Sequence, residues 1–261
     1  MSVKGNFNLT GRVALITGGN GGIGLGMAEG LARAGAGVCI WGTNADKNAA
    51  AVEQLRGHGG QAEAMICDVS DRAQVEACFT QTLEQFGRVD GCFANAGIGI
   101  WRRTFLDVTP EDWRRVLSVN LDGVFHTFQV ALRHMVERAE AGDAFGRLVA
   151  TSSLASRMGA PGHEHYAATK GAVNSLIEAL AVGNARHGVT ANAVLPGWIE
   201  TEMTGDHFDN ERFAQAVMPR IPARRWGGPG DFAGIATYLM SEASSYHTGD
   251  CILIDGGYRI F

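Results

Sequence analysis

Proline is scarce in this chain, with 6 residues in 261 against 36 glycines. No tract repeats among those glycines, which excludes a fibrous or low-complexity chain and points to many tight loops. No C-x-x-C pair occurs either. The five cysteines (Cys39, Cys67, Cys78, Cys92 and Cys251) are odd in number and scattered, mostly in apolar runs. They read as small buried hydrophobes in a reducing compartment. No apolar run approaches the roughly 18 residues of a membrane span. The opening MSVKGNFNLTGR lacks the apolar stretch of a signal peptide. Positive charge is not in excess: the formal net charge is −5, which removes the electrostatic case for nucleic acid or an anionic membrane. The expectation is a soluble cytoplasmic protein, with 46% hydrophobic and 19% charged residues in the ordinary globular range.

What the chain does have is a regular alternation. Short apolar or β-branched runs at Val13–Thr17, Val38–Trp41, Ala62–Cys67, Gly91–Asn95, Arg147–Thr151, Thr190–Leu195 and Cys251–Asp255 read as strands. Helical patterns fall between them at Ile23–Ala34, Ala45–Arg56, Arg72–Phe86, Pro110–Ala139, Tyr166–His187 and Asp231–Leu239. Continuous apolar strands alternating with helices predict an α/β fold, a doubly wound, Rossmann-like parallel sheet of about seven strands with helices on both faces. No linker or composition break divides residues 1–261, so one domain is expected. The least patterned stretch, Trp198 to Pro229, suits a loop or lid over a site.

The run RVALITGGNGGIGLGMAEGLARAGA is strand, glycine turn, helix. Glycines there let the backbone approach a pyrophosphate, and the helix N-terminus adds free N–H groups and a positive dipole end. Candidate contacts are Gly18, Asn20, Gly21, Gly22, Ile23 and Gly24. The glycines fit G-x-G-x-x-G, T-G-x-x-x-G-x-G and T-G-x-x-G-x-x-G equally, so the turn indicates a dinucleotide without choosing a subfamily. The second strand should end at the residue that distinguishes NAD from NADP. Gly42, Thr43 and Asn44 stand there, neither acid nor arginine, and the preference stays open. Lys47 could reach a phosphate or simply lie on the surface.

Further motifs follow in order: Asp68-Val69 after the third strand; ANAG, ending in Asn95, Ala96 and Gly97, at the fourth; Asn120 in NLDG; Ser153 after the fifth; Tyr166 and Lys170 in Y-x-x-x-K; and PGWIET, with Pro196, Gly197, Ile199 and Thr201, after the sixth. Together with the glycine turn, this series resembles the short-chain dehydrogenase/reductase family in its single-domain branch, from about Leu9 to TGDCILIDGGY. The spacing to Tyr166 selects Ser153 over its neighbour Ser152. The resemblance implies an NAD(P)(H)-dependent oxidoreductase that interconverts a secondary alcohol and its ketone. It implies Tyr166 as general acid/base, Ser153 as hydrogen-bond partner of the substrate oxygen, and Lys170 on the nicotinamide ribose. Asn120 would hold a water near the lysine. Asp68 and Val69 would contact adenine, Asn95 to Gly97 line the adenosine side, and Ile199 and Thr201 hold the carboxamide. A phenol ionises near pH ~10, and an ammonium one helical turn away, together with the oxidised nicotinamide, should favour the phenolate.

Two other readings compete. His163 and His165 with Glu164 form H-E-H, which could serve a metal-dependent hydrolase but has no third ligand at a usual spacing. A non-catalytic NAD(P)-binding sensor on the same fold would be expected to have lost the serine, tyrosine or lysine. Substrate selection is expected from Leu154–His165, the loop from Trp198, and Trp101 with Arg102 and Arg103, where His163 or Arg102 could meet a polar or anionic group. Sugars, 3-oxoacyl thioesters, steroids and alicyclic ketones all remain open. The helix from Tyr166 is apolar well round its circumference, which suits burial on more than one face. The resemblance implies assembly through this helix and the C-terminal strand, the apolar end YRIF fits such a contact, and a homotetramer is expected.

Overall fold

The computed structural model describes residues 6–208 and 210–261. Seven parallel strands form one sheet: β1 (Val13–Thr17), β2 (Gly37–Gly42), β3 (Ala62–Ile66), β4 (Gly91–Ala94), β5 (Gly146–Thr151), β6 (Val189–Pro196) and β7 (Cys251–Ile254). Their order is β3-β2-β1-β4-β5-β6-β7. The chain winds outward from β1 through β2 to β3, then returns to β4 on the other side of β1. The strand order reverses between β1 and β4, where the carboxyl ends of the strands open a crevice. Register places Thr17 of β1 beside both Trp41 and Ala94, so the glycine turn leaves β1 at that crevice.

Alternate residues of each strand feed opposite cores, as a period of two requires. Leu15, Trp41, Cys92 and Leu148 pack with Phe79, Phe128, Met135 and Ile177 on one face. These come from α3 (Arg72–Phe86), α5 (Gly123–Glu140) and α6 (Glu164–Asn184). Ile16, Ile40 and Phe93 pack with Met27, Leu31, Leu55 and Leu239 on the other, from α1 (Gly22–Arg33), α2 (Ala45–Arg56) and α9 (Ala233–Met240). The central strands are buried on both faces, which is why they read as continuous apolar runs. Glycine decides how closely two helices meet: a Cβ at Gly26 or Gly30 would lie 2.0 Å from the Pro229 carbonyl oxygen or 2.5 Å from that of Ala233.

The expected continuous helix over 110–139 is broken. It consists of α4 (Pro110–Leu117), a π-helical turn (Ser118–Asp122) and α5. The cause is Asn120. Its Oδ1 accepts from the Ile98 N–H at 2.8 Å and its Nδ2 donates to the Ile98 carbonyl at 2.9 Å. Docking the amide on a neighbouring loop takes an extra residue into the turn, and such bulges favour functional sites. Helix α6 begins two residues earlier than its sequence pattern indicated, at Glu164, so His165 lies inside its first turn. The stretch 198–229 is not a bare loop. It carries α7 (Gly205–Phe208) and α8 (Glu211–Val217), and a bridge between Ile199 and Gly227 draws its ends together.

Candidate active site

Three carboxyl-terminal strand ends bring the site together. Asn95, just past β4, ties β1, β4 and β5 to one another. Its Nδ2 donates to the Thr17 and Gly18 carbonyls at 3.1 and 3.2 Å, and its Oδ1 accepts from the Thr151 hydroxyl at 3.0 Å. The Thr17 hydroxyl in turn accepts from the N–H groups of Asn95 and Ala96, both at 3.0 Å. Asn95 therefore acts as a knot in the backbone beneath the cavity, with its amide committed to the protein. The role of Thr17 has no local sequence signal beyond its place in T-G-x-x-x-G-x-G.

Past β5, Ser153 opens a short 3₁₀ turn, its Oγ accepting from the Ala155 N–H at 3.1 Å. Tyr166 sits in the first turn of α6 and Lys170 one turn on, its Nζ 5.4 Å from the centroid of the Tyr166 ring. Lys170 is 3% exposed, and Nζ donates to the Thr151 carbonyl at 2.7 Å. Burial pushes its ammonium down to about 8. Burial likewise pushes the Tyr166 phenol above its ordinary value, while hydrogen bonding with Ser153 pulls it back. Desolvation alone thus works against both ionised forms, and Ser153 is the counterweight on the tyrosine. Gly97 permits the approach of the remaining member: a Cβ there would lie 3.3 Å from Asn120 Oδ1 and 3.6 Å from Lys170 Nζ.

These residues front a cavity of about 310 Å³. Gly18, Asn20, Gly21, Gly22, Ile23, Asn95, Ala96, Gly97, Pro196, Gly197, Ile199 and Thr201 all reach it, along with Ser153, Tyr166 and Lys170. Helix α1 offers it a bare N-terminus. Its cap, Gly21, has no side-chain cap bond and no acid follows in the first turn, while a Cβ at Gly21 would meet nothing. Free N–H groups and an open glycine face fit a pyrophosphate, so the residues present suit NAD(P). Lys47, Thr151, Ser152, Glu202, Met203 and Thr204 also line the cavity; of these the sequence pointed to Lys47 and, as an apolar wall residue with Trp198, to Met203. Lys47 is an ion-pair partner at its mouth, with Nζ 2.7 Å from Glu202 Oε1.

Other expected contacts lie outside the cavity lining. Gly24 serves helix–strand packing, since a Cβ there would lie 2.3 Å from the Gly18 carbonyl oxygen. Gly42 is covered by Asn20, whose Nδ2 donates to Asn48 Oδ1 at 2.7 Å, and a Cβ at Gly42 would run into both atoms. The buried Asn48 also donates to the Gly42 and Met65 carbonyls at 3.0 and 3.2 Å. Thr43 is exposed, and Asn44 caps α2 by accepting from the Lys47 N–H at 3.0 Å. Asp68 closes its own turn, accepting from the Ser70 N–H and hydroxyl. Val69, 5% exposed, packs where Gly123 leaves room.

On the far side of Ser153 and Tyr166 lies a second cavity of about 440 Å³. Its walls include Trp101, Leu154, Met158, Trp198, Phe213 and Tyr258, and Trp198 meets Phe213 edge-on at 4.9 Å between centroids. The two histidines of H-E-H are not rim residues. His163 is 5% exposed and His165 fully buried. The His163 ring stacks between Trp101 at 4.0 Å and Tyr166 at 4.3 Å, almost parallel to the tyrosine (1°). Arg102, an anticipated anion partner, is held instead by Asp112 through bonds of 2.8 and 2.6 Å, and Arg103 is exposed. Among the described residues, no group of three or more His, Cys, Asp or Glu is placed to hold a metal ion, and no helix is long and apolar enough to cross a membrane.

A glycine-lined dinucleotide cavity that meets a largely apolar one at Ser153 and Tyr166, with Lys170 behind them, defines an oxidoreductase of alcohols and carbonyls. The chain belongs to the short-chain dehydrogenase/reductase family: the family model described as enoyl-(acyl carrier protein) reductase matches residues 18–259. Gluconate 5-dehydrogenase of Gluconobacter oxydans (strain 621H) is 36% identical over 261 residues, spanning 100% of this chain and 99% of that relative. The 5-keto-D-gluconate 5-reductase of Escherichia coli (strain K12) is 36% identical over 254 residues, 97% of this chain and 98% of that one. Among solved structures, a gluconate 5-dehydrogenase from Burkholderia cenocepacia J2315, in complex with NADP and tartrate, superposes with a TM-score of 0.93 at 36% identity over 100% of both chains. The protein is an NAD(P)-dependent oxidoreductase that interconverts a secondary alcohol and its ketone.

Proposed function

We propose that Tyr166 is the proton donor to the ketone oxygen and, in the reverse direction, the base that takes the alcohol proton. The observation that carries this is its position: the phenol stands where the two cavities join, with Ser153 beside it and Lys170 one turn behind. The Ser153 hydroxyl hydrogen-bonds the substrate oxygen as charge gathers on it. Lys170, buried and tied to the Thr151 carbonyl, holds a positive charge that favours the phenolate once a proton has left Tyr166. Asn120 fixes the loop at Ile98 and borders the space between Gly97 and Lys170, which suits a proton path from the lysine. When bound, NAD(P) supplies the two-electron redox chemistry. Residues Gly18 to Ile23 hold its pyrophosphate at the α1 N-terminus, and Pro196 to Thr201 border its nicotinamide end. No carboxylate stands at Gly42–Asn44 to repel a 2′-phosphate, and Lys47 lies at the mouth, so both NAD(H) and NADP(H) are accommodated.

The test is Tyr166→Phe. It should retain cofactor binding and lose turnover by about 10²-fold or more; full turnover with cofactor bound would refute the assignment. The complete serine, tyrosine and lysine set favours catalysis over a sensor role. Residues 1–261 form one catalytic domain, which acts in the cytoplasm as a homotetramer. Support for assembly comes from exposed apolar side chains on α6 and at the C-terminus: Val182 at 86%, Ile260 at 83% and Phe261 at 70%. A sedimentation mass near the 27.7 kDa of one chain would refute the assembly.

A further inference from the structure

The cavity beyond Tyr166 is lined mostly by apolar side chains, and this bears on which ketone it takes. Resting on the oxidoreductase reading above, we propose that the substrate is an uncharged alicyclic or aryl ketone and its secondary alcohol. The chamber of about 440 Å³ is of a size to enclose a small ring system. Ser153 and Tyr166 mark the end that receives the reacting oxygen. Away from them the wall is Leu154, Met158, Trp198, Phe213 and Tyr258, with Trp101 across from them. Among the described residues, no Lys, Arg, Asp, Glu, Asn or Gln lines this chamber.

Two further polar side chains of the lining, Thr204 and His163, are partly taken up by the protein. The Thr204 hydroxyl donates to the Ile199 carbonyl at 2.6 Å and accepts from the Thr201 N–H at 3.1 Å. The His163 imidazole has one face covered by Trp101 and the other by Tyr166, and its Nε2 is turned toward Gly99, 3.0 Å from where a Cβ there would stand. Nearby cations are committed too. Arg102 is pinned to Asp112, and Arg220 lies 4.6 Å over the Tyr258 ring without reaching the lining. A carboxylate carried into this chamber would lose part of its water and meet no cation on the lining, and a chain of hydroxyls would find few partners. An apolar ring would gain burial and aromatic contact. Identity of 36% to a gluconate dehydrogenase therefore carries the reaction and not the substrate, as fold-level likeness generally does.

Three probe ketones decide the matter with the intact enzyme, each assayed with NADPH and with NADH: 2-methylcyclohexanone, 5-keto-D-gluconate and acetoacetyl-CoA. Expected is a kcat/KM for the cyclohexanone about a hundredfold or more above the other two. Equal or better turnover of the keto acid or the thioester overturns the substrate class and leaves the oxidoreductase reading standing. No turnover of any of the three, with cofactor binding intact, overturns both. Binding without turnover is read by calorimetric titration of each ketone into the enzyme–NADP⁺ complex. Saturable binding of the cyclohexanone with a negative heat-capacity change is expected, and saturable binding of 5-keto-D-gluconate alone refutes the proposal. A last arm adds the missing charge: Met158→Arg should shift the kcat/KM ratio at least tenfold toward the keto acid, and an unchanged ratio in the folded variant places the substrate outside this chamber.

Discussion

Replacing Lys170 with Met should abolish turnover and yet stabilise the cofactor-free fold at neutral pH. Lys170 is 3% exposed, and burial lowers its ammonium from 10.5 to about 8. At pH 7 the folded chain keeps the proton against a lowered pKa, while the unfolded chain holds it at the ordinary one. That difference costs the fold about 3 kcal/mol, at roughly 1.4 kcal/mol per unit. Met fills a similar volume without charge, but it leaves the Thr151 carbonyl without the 2.7 Å donor, a loss of about 1–2 kcal/mol. The net expectation is a variant more stable by about 1–2 kcal/mol, or several degrees in Tm for a chain of this size. The sign changes with pH. Between pH 8 and 10.5 the unfolded state binds more protons than the folded one, so wild-type stability rises with pH and the advantage of Met shrinks or reverses. Chemical denaturation of both proteins at pH 7 and at pH 10, at fixed protein concentration, reads this directly. A gap that does not change with pH, or a variant less stable at pH 7, would refute the argument that burial of Lys170 is a stability cost held for catalysis.

Asp90, fully buried, accepts from the Val13 N–H at 2.9 Å and from Arg138 at 2.9 Å, with Arg88 and Arg12 also in reach. Asp90→Ala leaves these donors unanswered and should cost about 3–5 kcal/mol in equilibrium unfolding. Gly42→Asp, the obvious substitution to favour NAD(H), needs space held by Asn20 and Asn48. Alone it should weaken both cofactors, and combined with Asn20→Gly it should favour NAD(H) selectively in paired binding titrations. Burial pushes the Cys39 thiol up to about 12 and raises Cys92 as well. Both should resist iodoacetamide at pH 8 in the native protein and react on unfolding, as followed by peptide mass spectrometry.

The strands were legible because a sheet covered on both faces needs apolar residues at every position, and the seven runs in the sequence match the seven strands within one or two residues at each end. The starts of α3 at Arg72 and α4 at Pro110 match the sequence pattern, and in the fold Asp71 and Thr109 cap them by accepting from their first turns. The π turn at 118–122 was not, because its cause is a contact between Asn120 and Ile98, and no periodicity within the helix records it. The stretch 198–229 was readable only as an interruption. Its order comes from aromatic contacts such as Phe208 with Trp226, 4.6 Å apart, between residues too far apart to form a pattern.

The site divides along the same line. Tyr166 and Lys170 are one helical turn apart, and the glycine turn is a continuous run, so both are written in local spacing. What decides cofactor and substrate is written across the fold. The stretch at Gly42 was blank in sequence, but in the fold Asn20, from the glycine turn, and Asn48, from α2, meet over it. Arg102 looked like a partner for an anion until Asp112, ten residues away, was seen to hold it. His163 was a candidate to meet a polar group, and in the fold Trp101 and Tyr166 cover its two faces. In each case a polar side chain near the site is taken up by a partner that the sequence leaves anonymous. On the proposed reading, the groups facing the substrate are those that remain after such pairing, chiefly Ser153, Tyr166 and a mostly apolar wall.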